Sequence, residues 1–551
     1  MTASWEAAAS YHQQTKHHFH RSARSLGHMD WANQPDPFRR FTSAPLIRLP
    51  LSAEKQTTSY DALYERDDLP AQAVTLETLG SFFQLSLAIS AWKEYEGSRW
   101  ALRVNPSSGN LHPTEGYLLA PAIRNMHAEP GVYHYAPREH ALELRSTIAR
   151  ATWEAMAVGF CPGTFFVALT SIHWREAWKY GERAYRYCQH DIGHALAAVR
   201  LAAAVHGWSV WLLETLSDEA LAALLGLNRL QEFEPEDCEE PEVLAAIMPS
   251  ASLGSECASI PPEIIRKIAG GSWNGKANRL SENHVHWDAI EAVATACNKP
   301  TTAPPKVEEA GTSACGSNVR IERTCTARQI ILQRRSAVAL DGVTSLTRDQ
   351  FYLMLMRVFP TRRRVPWDIW RSQVCAHLAV FVHRVDGLKP GLYFLVRDPG
   401  QEAALHAALD TSFGWEKPPG CPAGLPFSLL QTGDCRQLAG QVSCGQAIAA
   451  DGAFSLGMIV RFEESLKEHG AWFYRRLFWE TGMIGQILYL EAEAAGVRST
   501  GIGCFFDDPV HDVLGLRGMQ YQSLYHFTVG GPTEDTRLTT LPPYDMNRPV
   551  R

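Results

Sequence analysis

The chain has 551 residues, 45% of them hydrophobic and 20% charged, with a formal net charge of −7 at pH 7. That length fills two domain cores, and an acidic balance without a long basic block excludes nucleic acid or an acidic membrane as the main partner. No run approaches the ~20 apolar residues of a membrane span, no secretory signal opens the chain, and the 12 cysteines are scattered singly with no Cys-x-x-Cys, which points to reduced thiols and a cytoplasmic protein.

Residues 1–60 read as an N-terminal arm. Trp31, Phe38 and Phe41 suit it to docking on folded domains. His17, His18 and His20 cluster without a Cys or carboxylate pair at ligand spacing, so no metal is expected there. A first domain is expected over 61–260. It opens with a helix over 75–92 (TLETLGSFFQLSLAISAW), followed by the loop 105–112, NPSSGNLH. There Pro106, Ser107, Ser108 and Asn110 offer small side chains and free N–H groups to a planar or anionic ligand; an ordinary turn before the strand 116–119 fits equally. Strands follow at 132–135 and 164–169. Lys179, Arg183 and Arg186, spaced i, i+4, i+7, predict one polar helix face. The apolar run 192–205 predicts a buried helix ended by Gly207. Residues 261–320 are set apart as a linker region, most clearly over 298–318.

The second domain, 321–551, starts with Arg334-Arg335-Ser336, two guanidinium forks and a hydroxyl suited to clamping a phosphate. A helix over 347–358 and strands at 379–384 and 391–396 repeat the first domain's order. Gly501-Ile502-Gly503 follows, a pair of glycines that lets backbone lie flat against a ring and present N–H groups to it. A strand over 523–530 closes the domain.

The central stretch occurs twice. A shift of 289 positions lays Tyr185-Arg186 on Tyr474-Arg475, Gly193 on Gly482, Gly207 on Gly496 and Leu225-Gly226-Leu227 on Leu514-Gly515-Leu516. The chain is a diverged tandem duplication. His190 and His194 fall on Trp479 and Met483, so both are packing or lining residues rather than metal ligands. Gly501 and Gly503 fall on Leu212 and Glu214, Lys179-Tyr180 on Glu468-His469, and the loop of Pro106 meets Pro366 without the serines. Each half lacks what the other keeps, as when a two-fold dimer with two interface sites is fused and retains one.

Arg-Arg-Ser at a domain start, Pro-Ser-Ser-x-Asn, the long repeated helix and Gly-x-Gly together resemble the FMN-dependent nitroreductase superfamily. RVNPSSGNLHPTEGY with KYGERAYRY is similar to its SagB/ThcOx-type dehydrogenase branch, the azoline-oxidising flavoenzymes of ribosomal peptide biosynthesis. The resemblance implies an α+β fold: two sandwiches of helices around mainly antiparallel sheets, forming an intramolecular pseudo-dimer. It implies FMN at the junction, with Arg334, Arg335, Ser336, Gly501, Ile502 and Gly503 on one wall and Pro106, Ser107, Ser108 and Asn110 on the other. It also makes Lys179 and Tyr180 a catalytic pair that removes a proton while hydride goes to flavin, with Arg183 and Arg186 lowering the pKa of one of them. The implied substrate is a small molecule or peptide, with biosynthetic proteins as possible partners. The alternatives are an NAD(P)H-dependent nitro- or quinone reductase and a flavin- or peptide-binding scaffold without turnover.

Overall fold

The computed structural model describes residues 5–544 apart from 52–56, 66–68, 250–258, 305–318, 320, 322, 362–363 and 372. Each half carries one large antiparallel sheet. The seven-stranded sheet runs in the order Leu46–Arg48, Ala141–Thr147, Gly131–Ala136, Thr114–Ala120, Phe165–Ser171, Glu240–Met248, Ser209–Leu212. The six-stranded sheet runs Phe427–Thr432, Gly391–Leu395, Ala376–Val382, Phe454–Arg461, Tyr521–Gly530, Arg498–Ile502. The duplication is visible in the order: in both, the last strand inserts beside the centre and the strand after the long helix takes the edge.

Strand alternation divides the apolar residues between two faces. In the first sheet Leu118, Val167 and Ala245 face inward, while Leu119, Phe166 and Ala246 face an outer layer with the helices Asp218–Leu225 and Pro262–Ala269. In the second, Leu378 and Met458 face inward, and Ala379 and Ile459 meet the outer layer of Glu402–Ala408 and Asp507–Leu514. The inner faces share one core that runs through both halves. At its centre lie the two long helices, Ala184–Val205 and Phe473–Ala494.

The helices cross at Gly193 and Gly482, which the repeat makes equivalent. A Cβ on Gly193 would stand 2.3 Å from the carbonyl oxygen of Trp479, and one on Gly482 would stand 2.3 Å from that of His190. Backbone meets backbone, leaving no side chain to yield.

Several boundaries differ from the sequence reading. The helix expected over 75–92 spans Leu76–Ser86, and Ile89–Tyr95 is a strand, because residues 89–92 pair with Ser98–Arg103 in a hairpin. The hairpin also takes the C-terminal strand Thr539–Leu541, so the second half's tail lies on the first. Much of 261–320 is not a linker. Ile264, Ile265 and Ile268 are buried in the first half's outer layer, Lys276–Ala277 pairs with Phe41–Thr42, and the helix Asp288–Ala296 buries Val293 in the shared core. The linker-like residues 305–318 lie outside the described set. Described residues of the N-terminal arm dock on the body: Phe38 and Phe41 are buried, Trp31, itself largely exposed, lies edge-on to Trp178, and Leu46–Arg48 joins the sheet. Among the described residues no helix is long and apolar enough to cross a membrane, and no group of three or more potential ligands stands ready for a metal.

Gly193→Ala and Gly482→Ala each gain helix propensity, worth up to about 1 kcal/mol, but drive a methyl into fixed backbone. A net loss of about 1–3 kcal/mol is expected, read as a lower denaturation midpoint; unchanged midpoints would show that the crossing tolerates a wider gap.

Candidate active site at the junction of the halves

The expected site residues come from four places in the chain, and the fold brings them to one cavity. It has a volume of about 670 Å³ and is walled by Pro106–Asn110 and Tyr180 from the first half and by Arg334–Ser336 and Gly501–Gly503 from the second. Lys179 flanks it. A Cβ on Gly109 would meet the Tyr180 hydroxyl at 2.6 Å and Lys179 Nζ at 3.2 Å, so both heads converge on that loop. Gly109, Asn110 and His112 have φ of 58°, 62° and 56°, a left-handed course that Gly and Asn tolerate best. The loop is pinned from inside: Ser107 Oγ accepts the His112 N–H at 2.7 Å, and Asn110 Nδ2 donates to the Ala101 carbonyl at 2.9 Å.

Burial strengthens electrostatics here. Arg334 is 3% exposed, and its Nη2 donates to the Arg103 carbonyl at 3.0 Å, while Nε and Nη1 are buried without a partner. Burial lowers its pKa, and an unpaired buried guanidinium is costly. These N–H groups need an acceptor. Arg335 differs from expectation: it already donates to Ser90 Oγ, the Ser90 carbonyl and the Leu332 carbonyl, tying the hairpin to the helix before it. Burial takes its pKa down to about 10.

The Gly-x-Gly wall is also built otherwise than expected. Gly501 N–H donates to Tyr489 Oη at 2.9 Å, and Ser336 Oγ donates to the same oxygen at 3.0 Å, so this N–H is already used. A Cβ on Gly501 would lie 1.9 Å from the Tyr525 hydroxyl, and one on Gly503 would lie 2.2 Å from the Tyr187 ring. The glycines admit tyrosines that themselves line the cavity.

Lys179, Arg183 and Arg186 do not share a face. The helix His173–Tyr180 ends at Gly181 (φ 55°, ψ −134°), and the long helix starts afresh at Ala184. Arg183 and Arg186 are buried and bind Asp507, at 3.0 and 2.7 Å. With their charge spent there, Tyr180 faces the opposite influence: burial, then Glu176, pushes its pKa well above the ordinary value. It is a phenol at neutral pH, not the depressed base that the spacing suggested.

Sequence reasoning missed Asp191. It lines the cavity on the long helix, accepts from Ser108 N at 3.0 Å and from Ser108 Oγ at 3.0 Å, and burial lifts its pKa to about 7. The signal was present: Asp191 falls on Glu480, an acid in both copies of a largely apolar helix. Glu480 likewise accepts backbone N–H groups, from Cys375 at 2.9 Å, and pairs with Arg397. Also missed were Tyr187, Tyr489 and Tyr525; His194, read as a packing or lining residue, lines the cavity, and burial lowers its pKa to about 3.

The equivalent position on the other side of the crossing is filled. Where the site has Gly503 against Tyr187, the counterparts Glu214 and Arg476 form a buried ion pair. Arg475 beside them pairs with Asp218 at 2.7 Å and with Glu242 at 3.1 Å.

The fold and this junction cavity define a nitroreductase-type architecture, and comparisons agree. The model of the nitroreductase family matches residues 69–234 and 434–531, one segment in each half; Arg334–Ser336 lie between the two. The trifolitoxin-processing protein TfxB of Rhizobium leguminosarum bv. trifolii is 37% identical over 110 residues, 18% of this chain and 29% of that protein. The match thus spans less than a third of the curated relative. A crystal structure of a protein from Anabaena variabilis, described there as a candidate nitroreductase, superposes with a TM-score of 0.67 at 20% identity. It covers 96% of this chain and 99% of that one, which establishes the same double-domain fold. Both halves are similar to the nitroreductase family, and the chain carries that fold twice in one polypeptide.

The raised pKa of Asp191 has a stability consequence. Unfolded, the group ionises near 3.8; folded, near 7. Between those values the folded state holds the extra proton, so stability falls as pH rises and levels off above about 7, by up to roughly 1.4 kcal/mol per pH unit from this group. Asp191→Asn keeps an acceptor for Ser108 and removes the titration. The variant's melting temperature relative to wild type is expected to climb from pH 4 to pH 7; a constant difference would place the carboxyl in contact with water.

Proposed function

We propose that the chain is an FMN-dependent oxidoreductase of the SagB/ThcOx type, which oxidises a peptide-derived heterocycle or a related small substrate. The observation that carries the reading is Arg334, whose buried, unpartnered N–H groups sit in a cavity that both halves wall. A phosphate supplies the missing acceptors in charge-assisted bonds. Arg334 is therefore the main phosphate contact, and Arg335 holds the wall that presents it. Pro106–Asn110 and Gly501–Gly503 enclose the ring system from opposite halves, with Ser336 and Tyr489 bracing the second wall. FMN, when bound, supplies the two-electron acceptor.

The chain supplies orientation and proton handling. Tyr180, kept a phenol by burial, hydrogen-bonds the substrate beside Gly109 and passes the proton on. Lys179 Nζ stands next to it, and Asp191, ionising near neutrality, sets the charge at the floor. The likeness to a trifolitoxin-processing protein supports a peptide substrate and partner proteins of the same biosynthesis.

The filled counterpart site implies about one FMN per chain, measured by flavin absorbance after denaturation. Arg334→Ala is expected to lower FMN affinity by about 10–100-fold, the loss of charge-assisted bonds worth roughly 1.5–3 kcal/mol. A ratio near two, or unchanged affinity in the variant, refutes this placement of the phosphate.

Lys179→Ala and Tyr180→Phe are expected to retain FMN and lose about 10²–10⁴-fold in turnover, mainly in kcat. Glu468 and His469, their counterparts in the other half, serve as controls whose replacement leaves turnover near wild type. Equal losses from both pairs would assign the working site to the wrong half.

A further inference from the structure

Two cysteines 60 positions apart meet at the edge of the cavity. Cys504 lies just beyond Gly503 and lines the cavity. Cys444 sits in the turn between the helices Arg436–Val442 and Ala447–Asp451. Their Sγ atoms are 2.9 Å apart, inside ordinary sulfur–sulfur contact, so a bond between them needs a shift under about 1 Å.

The approach is built rather than accidental. Phe506 N–H donates to the Val442 carbonyl at 2.9 Å on one side of the thiols. On the other, Gln446 Nε2 donates to the carbonyls of Cys504 at 2.8 Å and Ser443 at 2.9 Å. Cys444 takes φ of 57° and Gly445 takes 69°, a turn that aims the Cys444 side chain at its partner. Arg183, through Nη2, holds the Gly503 carbonyl at 3.3 Å, fixing the backbone on the other side of Cys504. Among the described residues no third ligand completes a metal set here.

We propose that Cys444 and Cys504 form a dithiol site in the cavity wall that exchanges with low-molecular-weight disulfides, such as glutathione disulfide, and closes to an intramolecular disulfide. The two sulfurs have distinct parts. Cys504 is the exposed member, and it is the better thiolate: as the anion it accepts from the Cys444 thiol and is further favoured by Arg183, and the two together bring its pKa down to about 7. Cys444, which holds its proton for that bond, is shifted upward and acts second.

Cys504 thiolate attacks one sulfur of glutathione disulfide, making a mixed disulfide and releasing one glutathione thiolate. Cys444 then gives up its proton, and its sulfur displaces the second glutathione from Cys504. Counted from the two thiols, with Cys504 first ionising, the protein loses two electrons and two protons, and one glutathione disulfide becomes two glutathiones. The bond ties the loop after Gly503 covalently to the turn at Cys444.

The test uses the full chain as purified, incubated with excess glutathione disulfide, quenched in acid and mapped as non-reduced peptides. Wild type is expected to yield a Cys444–Cys504 cross-link and release about two equivalents of glutathione per chain. Cys444→Ser, lacking the second sulfur, is expected to keep glutathione on Cys504 through the quench. Cys504→Ser is expected to react at Cys444 at least about tenfold more slowly, since the better thiolate is gone. Wild type that holds glutathione stably on Cys504, or that keeps both thiols free, overturns the proposal.

Discussion

The contact on which the architecture depends is the crossing of the two long helices at Gly193 and Gly482. Because neither position has a side chain, the helices approach until each backbone touches the other, and the two sheets close on them from opposite sides. Everything in the cavity is placed relative to that crossing. Asp191 and His194 lie beside Gly193 on one helix, Tyr489 lies two turns beyond Gly482 on the other, and Tyr180 and Gly501 lie where each helix meets its neighbouring strand or turn. A wider gap would separate walls that belong to different halves. It would also break the short bonds between them, such as Trp479 Nε1 to Gln189 Oε1 at 2.6 Å.

A duplicated backbone offers two equivalent junctions, and side chains decide which one is open. At one, Gly503 and Tyr187 leave a cavity with Arg334 short of acceptors. At the other, glutamate and arginine stand at the same two positions and neutralise each other. Burying an ion pair is a poor source of net stability, yet the two side chains occupy the space and leave no unpaired charge between them. Burial pushes the pKa of both Asp191 and its counterpart Glu480 upward; Glu480 has Arg397 as a cationic partner against that burial, whereas Asp191 accepts from the neutral N–H and hydroxyl of Ser108.

Much of this was legible in the sequence. The repeat gave the pseudo-dimer, since equivalent small residues at the helix crossing survive only where both copies touch, and the complementary losses located the open junction. What misled was local spacing. Lys179, Arg183 and Arg186 fit a helical face, but Gly181 takes φ 55°, ψ −134° and ends the first helix, so the periodicity runs across a break. The true partner of Arg183 and Arg186, Asp507, lies more than 300 positions away, and no pattern within a window reports it. Arg334 and Arg335 are indistinguishable by type; only the path of the hairpin decides that Ser90 takes one and leaves the other. The helix expected through residue 92 failed for a different reason, because a local hairpin with Ser98–Arg103 overrode a helix-compatible apolar run.

Asp507 shows how the N-terminal arm serves the site. Its carboxylate receives Arg183 and Arg186 and also the His17 N–H at 2.9 Å. Burial alone would raise its pKa, but the two guanidiniums outweigh that and hold it far below the ordinary range. Arg183 continues to the Thr15 carbonyl at 2.6 Å, and Arg186 to Thr15 Oγ1 at 3.0 Å and the His12 carbonyl. Arm, long helix and the loop after Gly503 therefore share one buried network of charge-assisted bonds. A network of that kind is stable only when complete, since removing one charge strands the others at several kcal/mol. The loop that carries Gly503 and Cys504 is thus held by the arm from outside and by the long helix from within, which fixes its distance from the wall of Pro106–Asn110. Precision at the junction comes from charges that never touch a ligand.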